Sequence, residues 1–131
     1  MMASIDTMIE RAREVMAYAY APYSKFQVAA CILGDNGQFY TGVNVENASY
    51  GLTLCAEAVA QVNMVADGCH KINSIVVMCN TNELCSPCGA CRQRLHEFSS
   101  EKTMVHLCSQ QALIKSITLD ELLPLAFKFK P

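Results

Sequence analysis

Two short stretches of this sequence each place cysteine where a helix is expected to begin. Residues 53–57 read TLCAE and residues 86–92 read SPCGACR. Together they supply three thiols, from Cys55, Cys88 and Cys91, and one carboxylate, from Glu57. A tetrahedral zinc with three protein ligands keeps its fourth position free for water, which is typical of a catalytic rather than a structural site. The spacing therefore predicts a fold in which two helix starts meet at one metal.

The position of each cysteine favours its ionised form. A helix dipole stabilises a thiolate near the helix N-terminus and so lowers the cysteine pKa. We expect Cys55 in the first turn of one helix, and Cys88 and Cys91 at the start of another. Because Cys88 and Cys91 are three residues apart, they share a helix face. Two helix starts aimed at one point would stabilise three thiolates around Zn²⁺.

Glu57 is predicted to move protons and not to bind the metal. It follows Cys55 by two residues, which is about 200° around a regular helix, so the two side chains leave in different directions. The helix around Glu57 is otherwise apolar. Burial there should raise the pKa of the carboxyl group. A raised pKa suits acid–base chemistry near neutral pH.

The same residues allow less specific interpretations. Cys85 lies three residues before Cys88, so four cysteines could form a closed structural zinc site in a binding module without activity. A lone Cys-x-x-Cys pair could also be a redox pair. Glu57 could be an ordinary solvated carboxylate on a helix surface. The residues alone leave these alternatives open.

The composition limits the class of protein. The chain has 131 residues, of which 52% are hydrophobic and 17% charged, and this predicts a single domain over 1–131. The net charge is −2 and no basic run is present, so we expect a small-molecule substrate and no nucleic acid. No apolar run approaches a membrane span, and the start does not read as a signal peptide. We therefore expect no membrane association and a cytoplasmic protein with reduced thiols.

Hydrophobic periodicity predicts four helices and five strands. The predicted helices are 6–20 (ended by Pro22), 54–67 (with Thr53 as N-cap), 88 or 89 to 98, and 118–123 (with a capping box between Thr118 and Glu121). The predicted strands are 26–33, 38–43, 72–79, 103–108 and 113–117, the first two joined by a turn at 34–37. We expect Cys31, Cys79 and Cys108 to be buried packing residues. The order predicts an α/β three-layer sandwich with a five-stranded mixed sheet.

The two cysteine stretches resemble a known family. Cys-Ala-Glu followed about thirty residues later by Pro-Cys-x-x-Cys is typical of the zinc nucleoside and nucleobase deaminases. Residues 21–26 (APYSKF), 41–51 (TGVNVENASYG) and 122–127 (LLPLAF) look like the corresponding segments of cytidine deaminases. The chain is most similar to the short, homotetrameric cytidine deaminases with three cysteine ligands.

The resemblance implies a reaction. It is the hydrolytic deamination of free cytidine and 2′-deoxycytidine to uridine and 2′-deoxyuridine, with release of ammonia, as in pyrimidine salvage. One Zn²⁺ per subunit would be held by Cys55, Cys88 and Cys91, with a zinc-activated hydroxide as nucleophile and Glu57 as proton shuttle. Another small cytosine-containing substrate, such as free cytosine or a nucleoside antibiotic, is the alternative within the enzyme class.

The resemblance also implies substrate contacts. Asn44 and Glu46 match ribose-binding residues, and Phe26 matches an aromatic that lines the base pocket. The backbone of Ala56 is expected to accept a hydrogen bond from the exocyclic amino group. In a homotetramer, three further residues match ones that reach a neighbouring subunit's site: Ala48, Tyr50 and Phe127.

One position departs from the family pattern. Many members carry arginine directly after the catalytic glutamate, where it hydrogen-bonds a zinc thiolate, and here that position is Ala58. Arg92 matches the family's second arginine. Because three thiolates and Zn²⁺ leave one excess negative charge, we expect Arg92 to donate a charge-assisted hydrogen bond to them.

Overall fold

The structure is a computed structural model of the chain that describes residues 2–129, with side chains from Ser4 onward. Within this range there are four α-helices and five strands, together with a short 3₁₀ helix at Tyr50–Leu52. The helices are α1 (Met2–Met16), α2 (Ala56–Ala66), α3 (Gly89–Glu97) and α4 (Leu119–Leu122). The strands are β1 (Val28–Gly34), β2 (Phe39–Val43), β3 (Ile72–Cys79), β4 (Met104–Ser109) and β5 (Leu113–Thr118).

The five strands form one mixed sheet in the order β2-β1-β3-β4-β5. β1 is antiparallel to both β2 and β3, and β5 is antiparallel to β4. The one parallel pair is β3 with β4, and α3 lies between them in the chain. Parallel neighbours need such a crossover connection, so the segment that carries Cys88 and Cys91 is also the connection that joins β3 to β4.

Helices cover both faces of the sheet. On one face, Met8 and Ala12 of α1 pack in a buried cluster with Ala29 and Cys31 of β1. On the other face, the alternate strand residues pack with α2, α3 and α4: they include Ala30, Ile32, Ile75, Val77, Val105 and Leu107. This alternation is the period of two expected of a strand buried on both faces. The predicted three-layer sandwich with a five-stranded mixed sheet is therefore confirmed.

α1 begins at Met2, four residues earlier than predicted, and at two other helix boundaries a bridge competes with the helix. α1 ends at Met16 and not at residue 20, because the backbone of Tyr20 hydrogen-bonds the segment 44–46. α2 begins at Ala56 and not at residue 54, because Leu54 exchanges two backbone hydrogen bonds of 2.9 Å with Val45. In these long-range pairs, the backbone N–H and C=O groups of Tyr20 and Leu54 bond to the segment 44–46, although hydrophobic periodicity assigns both residues to helices.

The later start of α2 corrects the expected place of Cys55. Cys55 lies just before the first turn, as the N-cap of α2, with φ −78° and ψ 149°. Cys88 is likewise the N-cap of α3, with φ −66° and ψ 165°. Thr53, the predicted N-cap, is part of the turn that follows the 3₁₀ helix. The two cysteines thus occupy equivalent positions at two helix starts.

Several local predictions are confirmed. Thr118 and Glu121 form the capping box of α4. The thiols of Cys31, Cys79 and Cys108 are free and buried. Across residues 2–129, none of the helices combines the length and the apolar character that a membrane crossing requires.

Candidate active site

The three predicted ligand cysteines lie together. Cys55 caps α2, Cys88 caps α3, and Cys91 is the third residue of α3. Their sulfur atoms all lie within 4.8 Å of one another. Cys91 is fully buried, Cys55 is half-buried and Cys88 is exposed, so the group opens to solvent on one side. The cluster is therefore reached by solvent on the side of Cys88.

The donor set fits zinc. The pKa of Cys88 is lowered, as expected at a helix start, but burial outweighs the helix ends at Cys55 and Cys91 and raises the pKa of both thiols. Neighbouring thiolates at these two positions therefore need a cation to be stable. Thiolates select soft or borderline metals such as Zn²⁺ over Mg²⁺ or Ca²⁺. Both N-caps also place the free N–H groups and positive dipole end of a helix toward the sulfur cluster. The chain thus provides three ligands with a preference for zinc.

Glu57 lies beside this cluster without belonging to it. The carboxyl side chain is 5% exposed and is absent from the set of atoms that could share an ion. It accepts a hydrogen bond from the Cys91 thiol. Burial raises its pKa above the ordinary value, as predicted from the apolar helix, while the Cys91 hydrogen bond and Arg94 act in the opposite direction. A carboxyl group so placed can hold a proton close to the metal position.

The arginine that contacts a thiol is Arg94 and not Arg92. Arg92 donates three hydrogen bonds elsewhere: to Pro87 O at 2.9 Å, to Leu122 O at 2.7 Å and to Ser86 Oγ at 2.8 Å. Nη1 of Arg94 lies 3.6 Å from Sγ of Cys91. Side chains three residues apart share a helix face, whereas adjacent ones do not. This spacing explains the correction, and it was the sequence signal that could have identified Arg94.

Cys85 lies outside the cluster. Among the described residues, the group of atoms able to share one ion contains Cys55, Cys88 and Cys91 and does not extend to Cys85. The Cys85 thiol hydrogen-bonds Cys79 at the end of β3 instead. This placement disfavours the closed four-cysteine alternative.

Glu46 holds the preceding loop. One carboxylate oxygen accepts hydrogen bonds from the backbone N–H groups of Tyr23 at 2.9 Å and Ser24 at 3.2 Å. The other accepts from the Ser24 hydroxyl. These bonds, the hydroxyl bond first, keep the pKa of Glu46 below its ordinary value, so the group is ionised at neutral pH. A pocket of about 330 Å³ opens beside it, lined by Tyr23, Ser24, Glu46, Tyr50 and Thr53.

Asn44 also makes backbone contacts within the chain. Its Oδ1 accepts from Val28 N at 2.9 Å and its Nδ2 donates to Phe26 O at 2.8 Å. The side chain is buried and fixes the entry to β1. An amide group has two donors and two lone pairs, so one of each remains for a ligand. Phe26 itself is 39% exposed.

The free backbone group of Ala56 is a donor. Ala56 is the first residue of α2, so its N–H has no partner in the helix, while its carbonyl is the acceptor for the fifth residue. That carbonyl also lies against Gly42 of β2. The acceptor role expected of the Ala56 backbone stays a prediction, since a carbonyl oxygen has a second lone pair. A donor at this point would also suit a carbonyl oxygen of a substrate.

The three residues expected to reach a neighbouring subunit are all at the surface. Ala48 is exposed, Tyr50 is 75% exposed and Phe127 is 71% exposed. Tyr50 contacts Tyr23 edge-to-face at 6.0 Å between ring centroids. The Phe127 carbonyl accepts from Gln93 Nε2 at 3.1 Å, which holds the C-terminal segment against α3. Within its own chain, Phe127 has no share in the cysteine cluster.

Comparison with known proteins decides the family. Residues 2–107 match the family described as cytidine and deoxycytidylate deaminase zinc-binding region. A cytidine deaminase of Mycoplasma genitalium is 41% identical over 129 residues, covering 98% of both chains. The chain belongs to the cytidine and deoxycytidylate deaminase family. A cytidine deaminase of Halalkalibacterium halodurans is 43% identical over 120 residues, covering 92% of this chain and 91% of that one.

Solved structures of this family share the fold. The crystal structure of cytidine deaminase from Burkholderia pseudomallei superposes with a TM-score of 0.88 at 39% identity, covering 93% of this chain and 98% of that one. The cytidine deaminase from Mycobacterium tuberculosis gives 0.84 at 35% identity, with 95% and 97% covered. The resemblance noted in the sequence is thereby confirmed, and the enzyme class is that of the zinc-dependent deaminases.

Proposed function

We propose that this chain hydrolyses cytidine and 2′-deoxycytidine to uridine and 2′-deoxyuridine with release of ammonia. The observation that carries the proposal is the relation between Glu57 and the cysteine cluster. The carboxyl group is buried against the three thiols and is not one of the atoms that could share their ion. This is the arrangement a proton shuttle beside an open zinc site requires.

Cys55, Cys88 and Cys91 would hold the zinc. When bound there, the metal supplies a nucleophile at neutral pH by lowering the pKa of water. Glu57, buried beside the thiols, would accept the water proton. The backbone N–H of Ala56, free at the start of α2, would donate to the carbonyl oxygen at C2 of the pyrimidine.

Glu57 carries two protons in sequence. It takes the first from water and delivers it to N3 while the C4–O bond forms. It takes the second from the new hydroxyl group and delivers it to the amino group. The C4–N bond then breaks, ammonia leaves and C4 becomes a carbonyl. The two protons of water thus end on N3 and on ammonia, and no oxidant or reductant is needed.

The ribose side of the substrate would occupy the pocket beside Glu46. The bridge between Val45 and Leu54 brings that pocket to the chain segment just before Cys55. Asn44 and Glu46 each keep unused hydrogen-bonding capacity, and Phe26 would cover the base. A substrate with a ribose therefore fits better than free cytosine. Assays of cytidine, 2′-deoxycytidine and cytosine with one preparation decide between these substrates.

Replacing Glu57 tests the mechanism. Zinc-loaded Glu57→Gln should keep one zinc per chain and lose at least about a hundredfold in kcat/KM for cytidine, because an amide cannot shuttle the proton. Glu97→Gln is a matched control, since Glu97 is an exposed carboxylate on α3 and should change neither quantity. The assay is the ultraviolet loss of cytidine, with zinc counted in every sample. Turnover within tenfold of wild type by zinc-loaded Glu57→Gln would refute the shuttle.

The working form that we propose is a homotetramer of one-domain subunits, 1–131, with sites shared between them. Large exposed apolar side chains lie next to the pocket and in the C-terminal segment: Tyr50, Leu52, Leu54, Leu125, Phe127 and Phe129. Contiguous exposed apolar surface is typical of a protein interface. In the tetramer, Ala48, Tyr50 and Phe127 would reach a neighbour's pocket. The eight free cysteines support the cytoplasm as the compartment.

Mixed subunits test the shared site. The Phe127→Ala variant should keep zinc and lose turnover. The Glu57→Gln variant lacks the proton-shuttling carboxyl group but keeps Phe127 intact. Tetramers reassembled from both variants contain sites with Glu57 from one chain and Phe127 from another, so part of the activity should return. Each variant reassembled alone is the control. Mixed tetramers without recovered turnover would show that Phe127 acts in its own subunit or not at all.

A further inference from the structure

The sulfur cluster has one guanidinium contact in the described structure, and it comes from a position that the family resemblance does not use. Nη1 of Arg94 lies 3.6 Å from Sγ of Cys91. Besides Cys91, the charges that act on Arg94 are those of Cys55 and Cys88. Arg94 also acts on Glu57 through its charge. One cation therefore reaches all four groups of the proposed reaction centre.

The two positions adjacent in sequence to this chemistry provide no such charge. The residue after Glu57 is Ala58, which has no donor. All three hydrogen bonds of Arg92 go to Ser86, Pro87 and Leu122, which hold the loop before Cys88 and the end of α4. The negative charge of three thiolates and the adjoining carboxylate is thus left to Arg94.

Positions 58 and 94 each follow a cysteine of the cluster by three residues, position 58 in the first turn of α2 and position 94 further along α3. Ala58 follows Cys55, and Arg94 follows Cys91. Cys91 and Arg94 both lie within α3 and share a helix face, and position 58 lies in the first turn of α2, close to the N-cap Cys55, so an arginine at either position can approach a cluster thiolate. α2 and α3 also pack against each other, which places both positions beside one cluster.

We propose that Arg94 is the positioning residue that compensates for Ala58, by donating to the Cys91 thiolate and offsetting the excess negative charge of the zinc site. The proposal rests on the zinc site described above. Hydrogen bonds to ligand sulfurs reduce their electron donation and fix their orientation. The guanidinium is exposed, so its contribution is electrostatic and should be screened by salt.

Zinc affinity tests this role without using turnover. Arg94→Ala should raise the zinc dissociation constant about tenfold, measured by competition with a chromogenic chelator, because loss of such a partner typically costs 10–100-fold. Arg94→Lys keeps the charge and should lose less. Arg13→Ala is the matched control: Arg13 donates to Gln110 O from α1, which packs on the opposite face of the sheet from α2 and α3, so zinc affinity should not change.

The second variant restores the charge from the other helix. Ala58→Arg combined with Arg94→Ala should recover most of the lost zinc affinity, since position 58 lies in the first turn of α2, beside the N-cap Cys55. The difference between wild type and Arg94→Ala should also shrink from about tenfold at low salt toward equality at 1 M salt, where the screening length is about 3 Å. A role in folding alone would give neither the rescue nor the salt dependence.

The outcomes are distinct from those that test the reaction. Unchanged zinc affinity in Arg94→Ala, at low salt, overturns the proposal even if the enzyme turns over cytidine. If Arg94→Ala lowers zinc affinity and Ala58→Arg does not restore it, Arg94 acts only from its own position in α3. That result overturns the proposal that Arg94 compensates for Ala58. Absence of cytidine turnover in wild type would refute the proposed reaction and leave the zinc measurements valid.

Discussion

A Cβ atom on Gly42 would lie 2.4 Å from the carbonyl oxygen of Ala56. It would also lie 2.4 Å from the backbone nitrogen of Ala60, which lies about one turn further along α2. Strand β2 and the start of α2 therefore approach more closely than any side chain would allow. Because Cys55 and Glu57 flank Ala56, this close approach fixes the height of the proposed reaction centre above the sheet.

Gly42→Ala should separate β2 from α2. Backbone atoms cannot yield as a flexible side chain can, so the methyl group should destabilise the fold by about 1–3 kcal/mol, as overpacking does. Denaturant unfolding measures the loss, and zinc content measures the displacement of Cys55. The matched control is Gly89→Ala, because a Cβ at Gly89 meets nothing within 4 Å. Equal stability of the two variants would contradict the close-packing argument.

The sequence predicted what depends on periodicity and on residue spacing. The near-continuous burial of β3, and the helical stripe of Met8 and Ala12, follow from the patterns of apolar residues. The metal cluster followed from cysteines at two expected helix starts, which local sequence specifies well.

What the sequence did not predict depends on distant contacts. Because of the bridges of Val45 with Tyr20 and Leu54, α1 ends earlier and α2 begins later than predicted. No local sequence pattern predicts these bridges. The partner of each arginine depends in the same way on the packing of α3 against the loop at Ser86 and the end of α4. Tertiary hydrogen bonds decide such cases against local propensity.

Asn44→Ala should destabilise the protein even without substrate. The change removes the acceptor for Val28 N–H and the donor for Phe26 O in a buried place. Each unsatisfied backbone group costs about 1–3 kcal/mol. Asn44→Asp keeps the acceptor and loses the donor, so it should retain the Val28 bond and lose the Phe26 bond. Unfolding measurements on the free protein check this, and unchanged stability in Asn44→Ala would leave only a role in substrate binding.

Glu46 should stabilise the free protein in a pH-dependent manner. Its folded pKa is lowered below 4.5, chiefly by the Ser24 hydroxyl, so the folded state favours the ionised form. The unfolded chain then binds more protons in this range, and the stabilisation is present above the unfolded pKa and is lost as pH falls through the folded pKa.

Comparison of wild type with Glu46→Gln isolates this contribution. The variant should be less stable at pH 7, and the difference should narrow once the pH falls below 4.5. Denaturant unfolding from pH 7 down to the acid transition gives the comparison. A difference that is constant with pH would mean that shape, and not charge, holds the loop at Tyr23 and Ser24.

Cys85→Ser should keep both zinc and activity. Cys85 lies outside the group formed by Cys55, Cys88 and Cys91, and its thiol hydrogen-bonds Cys79. Serine preserves a hydrogen-bonding group of similar size at that contact. We expect one zinc per chain and kcat/KM for cytidine within about twofold of wild type, whereas Cys88→Ser, one of the three proposed ligands, should lose zinc and turnover together. Zinc loss in Cys85→Ser equal to that in Cys88→Ser would instead establish a closed four-cysteine site. Such a site has no open position for water, so that result would also remove the structural basis for hydrolysis.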